Sequence, residues 1–136
     1  MSKLNRAAFE QKRLKTIDIE IEELGGSVTL REMSASQVGD FLKKLAELKK
    51  DHTEEAERTA ALLRLNIEAV IACAIDENGN KLFFDGDVEM IRDNLPHHVA
   101  QRLTTETLKH SKLLQDDKEE IEKNSETAPS TDSASD

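Results

Sequence analysis

One segment, residues 54–75 (EEAERTAALLRLNIEAVIACAI), constrains the fold of this chain most strongly. Its apolar side chains recur every three or four residues, which is the period of an α-helix. From residue 60 onward, few positions around the helix are polar, and a helix that is apolar on nearly all sides is buried by several neighbours. Because Arg64 and Glu68 interrupt the apolar run, the segment predicts a core helix, capped by Thr53, rather than a membrane span.

Charge divides the 136-residue chain into a body and a tail. Residues 115–136 hold eight acids and two lysines, which is −6 of the net charge of −9. They contain few apolar side chains and are rich in Ser, Thr and Asp, so we predict a disordered acidic tail. Residues 15–114 predict a single globular domain.

Residues 1–14 form a basic N-terminal segment. A short helix is predicted over residues 3–14, with Leu4 and Leu14 facing inward. We interpret the segment as a solvated terminus, with a contact site for an acidic partner as the alternative.

Two stretches near the N-terminus change the apolar period from 3.6 to 2. Residues 17–22 (IDIEIE) alternate isoleucine with acids, and residues 28–31 (VTLR) alternate again after Gly25-Gly26. This pattern predicts a β-hairpin with one buried face, and the glycine pair supplies the positive φ of a tight reversal. An isolated hairpin is marginally stable, so it must dock on the helices or acquire a third strand.

A second helix is predicted over residues 35–49. Ser34 and Gln37 have the spacing of a capping box at its start. Gly39 weakens this helix by about 1 kcal/mol relative to Ala and predicts a close helix contact. The side chains that are expected to face inward are Val38, Phe41, Leu42, Leu45 and Leu48.

The remaining elements follow the core helix. Asn78-Gly79 is a strong turn signal, and it predicts a short strand near residues 81–84. A helix over residues 87–94 is ended by Leu95-Pro96, and the last helix spans residues 96–114 with Val99, Leu103 and Leu108 inward. The fold class is therefore α+β, mainly helical with four to five helices, a small N-terminal hairpin and a short strand.

Reactive or metal-binding patterns are weak. Cys73 lies among apolar neighbours, where a thiolate is disfavoured. Adjacent His97 and His98 point about 100° apart on a helix, so they do not form a metal pair. Residues 76–87 begin like a calcium loop but lack the glycine at its sixth position and the glutamate at its twelfth. We therefore predict that the protein is not an enzyme, has no catalytic residues and binds no cofactor or metal.

Nucleic acid and membranes are also disfavoured as partners. The body is slightly acidic and has no basic stripe with interleaved aromatic residues. No apolar run of about 18 residues is free of charge.

The order of two signatures resembles that of tail assembly chaperones from phages with long non-contractile tails. The first is Leu24-Gly25-Gly26-Ser27-Val28 followed by residues 30–35 (LREMSA), and the second is residues 74–83 (AIDENGNKLF) with the Asp85/Asp87 turn and residues 88–91 after it. The similarity covers residues 15–109. The charged stretch at residues 49–58 and the basic N-terminus depart from the family pattern.

This resemblance implies a role in tail morphogenesis in the host cytoplasm. Such chaperones coat the tape-measure protein, keep its apolar helices soluble and help to recruit tail-tube subunits. Many are also made as a longer, frameshifted product, to which residues 115–136 would supply a spacer. The client-contact residues that we predict are Phe41, Leu45, Leu48, Val99 and Leu103.

Two other functions fit the same residues. One is a homo-oligomeric phage structural or scaffolding protein, in which the apolar helix faces meet copies of themselves. The other is a small acidic regulatory protein whose tail mimics nucleic acid.

Overall fold

The structure, a computed structural model, describes residues 2–11 and 13–114. The predicted tail, residues 115–136, lies outside the described residues. The described part contains five α-helices and a three-stranded antiparallel sheet, which confirms the α+β class. In chain order the elements are α1 (Arg6–Glu10), β1 (Thr16–Ile21), β2 (Gly26–Arg31), α2 (Ala35–Asp51), α3 (Glu55–Cys73), β3 (Ala74–Ile75), α4 (Val88–Asn94) and α5 (His97–His110).

The predicted hairpin is present and acquires its third strand from the end of the core helix. β1 and β2 pair so that Ile19 faces Val28, and the reversal is a 3-10 turn followed by Gly25 at a φ of 73°. β3 then pairs with the other edge of β2, where Ala74 faces Leu30. The prediction of a helix to residue 75 is therefore wrong at its end, because Ala74 and Ile75 satisfy their backbone groups in the sheet.

The strand predicted at residues 81–84 is reduced to a single bridge between Ile75 and Lys81. In the preceding turn, residues 76–80 form hydrogen bonds with one another instead. The Asp76 carboxylate accepts the amides of Asn78 and Asn80 at 2.8 and 3.0 Å, while Gly79 adopts a φ of 85°. This acidic stretch is thus a side-chain-stabilised turn.

The start of α2 follows the capping-box prediction, since Ser34 and Gln37 exchange both hydrogen bonds. Phe41 is the one buried side chain of α2. Two expectations are wrong. Leu42 was expected to face inward but is 48 % exposed, because α2 packs mainly on α3, through the side that carries Phe41. A Cβ added at Gly39 would meet nothing within 4 Å, so this glycine marks no close contact.

The other helix boundaries differ from prediction for local reasons. α3 begins after Glu54, not Thr53, as its N-cap. α5 stops at His110, four residues early, where Lys112 takes a φ of 65° and the Leu113 amide bonds to the Leu108 carbonyl at 2.8 Å. Such a backward bond around a left-handed residue satisfies carbonyls at a helix end.

The basic segment forms only the five-residue α1, whose N-cap Asn5 accepts the Ala8 amide. Leu4 does not face inward as predicted and is 72 % exposed, whereas Leu14 is partly buried.

The buried part of α3 touches every layer of the core. One side faces the sheet and α5, a second faces α2, and a third faces α4. The three clusters are Val70 with Ile19, Ile21, Leu30, Ala74, Val99 and Leu103; Leu65, Ala69 and Cys73 with Met33 and Phe41; and Ile67 and Ile71 with Val88 and Ile91. The prediction of a core helix that is buried by several neighbours is thus confirmed for this part of α3. Among the described helices, none is long and apolar enough to span a membrane.

Candidate functional site

A depression between α3 and α5 has a volume of about 450 Å³. We call it the α3–α5 groove. Its lining combines apolar side chains from both helices with neutral polar groups. The lining residues are Leu63, Asn66, Ile67, Arg92, Leu95, His97, Ala100, Gln101, Thr104, Thr105, Leu108 and Leu114.

The spacing of residues on α5 explains why one of its sides faces this groove. Val99, Leu103 and Thr107 recur every four residues and are buried. The row one position further on, Ala100, Thr104 and Leu108, is therefore turned away from this buried row and lines the groove.

The opposite wall comes from α3, which is less covered toward its N-terminus. Leu63 and Ile67 are one turn apart and both line the groove, but Leu63 is 44 % exposed and Ile67 is buried. Neighbouring Leu62 is also exposed. The groove therefore opens toward the part of α3 that the fold leaves bare.

Charge is sparse along the groove. Arg92 is its one Lys, Arg, Asp or Glu side chain among the described residues, and its guanidinium lies 3.3 Å from Glu89. Glu89 also pairs with Arg64, and the Arg64 guanidinium holds the pKa of the Glu89 carboxyl below its usual value. Because Arg92 is partnered, the groove presents an apolar floor with a nearly neutral rim.

The five client-contact residues predicted from sequence lie elsewhere. Val99 and Leu103 are 3 % and 4 % exposed and face the sheet. Leu45 and Leu48 are partly buried against the cluster that holds Phe41. Phe41 lines a smaller depression of about 240 Å³ between α2 and α3. All five serve the core in the isolated chain, and their role in partner binding stays a prediction.

The residues that sequence reasoning missed are Leu63, Leu95, Leu108 and Leu114 as a shared surface. One signal could have located Leu63. The core helix is apolar on more sides than a small domain can cover, so one of its sides must remain exposed. No comparable signal identifies Leu114, because it lies beyond the end of α5.

Reactive groups do not converge in the described part of the chain. Burial raises the pKa of the Cys73 thiol to about 11, against smaller opposing effects of Arg31 and a hydrogen bond from Ser111. Within residues 2–11 and 13–114, no group of three or more His, Cys, Asp or Glu side chains is placed to hold a metal ion.

Comparison with known proteins gives a single kind of similarity. No protein-family model matches the chain, and no curated protein matches it. Among solved structures, the chain is similar to the bacteriophage HK97 tail assembly chaperone, with a TM-score of 0.55 and 19 % sequence identity. The match covers 70 % of this chain and 83 % of the HK97 chain. The two proteins therefore share a fold.

Proposed function

We propose that this protein is a phage tail assembly chaperone that binds the tape-measure protein of its own phage and keeps it soluble in the host cytoplasm. The observation that carries the proposal is the shared fold with the HK97 tail assembly chaperone across most of both chains. The order of the two signatures in residues 15–109 supports it independently of any overall sequence similarity.

The α3–α5 groove supplies a binding mode for such a client. Amphipathic helices bind by placing apolar side chains, spaced three or four residues apart, into a hydrophobic groove. Leu63, Leu108 and Leu114 offer apolar contact, while Asn66, Gln101 and Thr104 can hydrogen-bond to the polar margin of a helix. The nearly neutral rim lets the site accept successive client helices of different charge.

Recruitment of tail-tube subunits is the second part of the proposal. It would act through a longer form of the protein in which residues 115–136 are a spacer between the chaperone body and added sequence. An acidic spacer of low apolar content stays solvated and keeps the assembly soluble.

Co-expression tests the chaperone role. The tape-measure protein of the same phage is produced alone, with this chain, or with an unrelated acidic protein of similar size. We expect it to be soluble, and to co-purify, only with this chain. If the tape-measure protein stays insoluble in all three cases, or is equally soluble in all three, the proposed function is wrong.

A homo-oligomeric scaffolding protein is the second candidate, because Leu42, Leu62 and Leu63 are exposed on the described helices. Light scattering separates the two candidates. A scaffold assembles by itself, whereas a chaperone forms its large particle when the tape-measure protein is added.

A further inference from the structure

The basic N-terminal segment and residues 115–136 join the body at the same place. The His110 imidazole lies 2.9 Å from the carbonyl oxygen of Lys15, the residue that follows the segment. Next to it, the Met33 amide donates to the Ser111 hydroxyl at 2.9 Å. Since α5 ends at His110 and Leu114 is only four residues further on, both segments are attached close to one junction.

α1 is an uncovered helix. None of its five residues is buried, and Leu4 and Phe9 are 72 % and 75 % exposed. An isolated helix shorter than about 12 residues is marginal in water. Asn5 caps it and Arg6 pairs with Glu10 at 3.2 Å, but exposed pairs of this kind contribute little. The helix therefore needs a cover that shields its apolar side chains.

The charge around α1 defines what that cover must be. Lys3, Arg13 and Lys15 form no ion pair with a carboxylate in the described part of the chain. Arg13 donates instead to the neutral oxygens of Ala8 and Gln11. An acidic peptide that carries one apolar side chain complements both the free cations and Phe9.

We propose that residues 116–122 (DDKEEIE) of the same chain bind the N-terminal segment. Their carboxylates pair with Lys3, Arg13 and Lys15, and Ile121 covers Phe9. Phe9 is six residues from Lys15, and Ile121 is six residues from Gln115, so each reaches up to about 20 Å from its attachment point. Tethering at one junction gives an effective concentration of roughly millimolar, at which a weak electrostatic contact is populated.

This contact between the two segments, which we call the clasp, is sensitive to salt. It goes beyond the proposed function and does not depend on it. Screening weakens exposed charge pairs beyond a Debye length of about 10 Å at 0.1 M salt. The contact therefore forms at low ionic strength and is lost as salt is added.

Paramagnetic relaxation enhancement in the full chain tests the clasp. A nitroxide is attached to a Ser125→Cys variant, since Cys73 is buried. We expect the amide signals of residues 3–11 to lose roughly half of their intensity or more at about 50 mM salt. The loss should disappear at about 500 mM salt.

Charge reversal provides the specific and the control variants. Lys3→Glu with Arg13→Glu should abolish the intensity loss. Lys49→Glu with Lys50→Glu, which changes the net charge equally on exposed positions of α2, should preserve it. Mixing an isotope-labelled chain with a separate spin-labelled chain should give no loss. The proposal is overturned if no loss appears, if the Lys3/Arg13 reversal leaves it unchanged, or if it arises only between mixed chains.

Discussion

The two halves of α3 both carry apolar side chains, but their surroundings are opposite. In residues 65–73 the apolar side chains Leu65, Ile67, Val70 and Ile71 are all buried. In residues 55–64 no side chain is buried, and Leu62 and Leu63 are 38 % and 44 % exposed. The difference comes from the neighbours: the buried apolar side chains of the sheet, α4 and α5 pack on the later half.

The apolar residues of α3 are therefore of two kinds: some stabilise the fold by burial, and others remain on the surface. Burying a large aliphatic side chain contributes about 1.5–3 kcal/mol, and the later half of α3 collects this stabilisation on three sides. Leu62 and Leu63 gain little of it in the isolated chain, so they remain able to gain it on binding a partner. We therefore propose that this exposed part of α3 is an interaction site.

Truncation of one side chain in each half of α3 should produce the largest difference in the free energy of unfolding. Ile71→Ala leaves a cavity between α3 and α4 and should lower the free energy of unfolding by about 3 kcal/mol. Leu63→Ala removes a side chain that is already half in solvent, so we expect a loss of about 1 kcal/mol or less. Urea unfolding followed by circular dichroism measures both. Equal losses would mean that the halves are packed alike.

Thiol accessibility should differ along the same helix. Cys73 is buried with a raised pKa, so its labelling by a disulfide reagent near neutral pH requires local opening. In a Leu63→Cys variant, the new thiol should react at least about a hundredfold faster than Cys73, since an opening cost of about 3 kcal/mol corresponds to that ratio. Urea should bring the two rates together. Comparable rates in the native protein would show that the later half of α3 opens freely.

The same thiol predicts a direction for the pH dependence of stability. An unperturbed thiol ionises near pH 9, whereas the folded Cys73 ionises near pH 11. The unfolded chain therefore holds fewer protons in this interval, and stability falls as the pH rises from about 9 to about 11. Cys73→Ala should lose less stability over this range than the natural chain. A parallel decline in both proteins would assign the effect to other groups.

A smaller effect is expected on the open side of α2, which packs against the buried half of α3 through Phe41. Because the space around Gly39 is empty, Gly39→Ala should raise the free energy of unfolding by about 1 kcal/mol through helix propensity alone. A loss of stability, measured by thermal unfolding, would reveal a contact at this position.

Sequence periodicity predicted most of the architecture, because burial of one face leaves a direct trace in the pattern. The hairpin, the capping box at Ser34 and the central helix are all of this kind. The pattern did not predict that Ala74 and Ile75 leave the helix for the sheet, since a continuous apolar run suits both. It also predicted that Leu42 faces inward. Periodicity shows which face of a helix is apolar, but not how much of that face the neighbouring element covers.

The candidate site was harder to predict for a related reason. A core leucine and a partner-binding leucine are chemically identical, so the sequence pattern favoured Val99 and Leu103 and gave no reason to select Leu63. Only the three-dimensional arrangement separates them: Val99 and Leu103 face the sheet, whereas Leu63 opens onto the α3–α5 groove. The shared fold with the HK97 chaperone gives no information about which side chains contact a client.

The central claim is that the exposed half of α3 and the adjoining groove bind the client. It is tested most directly by comparing Leu63→Glu with Met90→Glu, since these side chains are 44 % and 45 % exposed and only Leu63 lines the groove. Each variant, once shown to fold, is co-expressed with the tape-measure protein, and the soluble complex is quantified. We expect Leu63→Glu to reduce it about tenfold or more, because a carboxylate buried without a partner weakens binding, and Met90→Glu to leave it unchanged. Equal amounts of complex with both variants would contradict the claim.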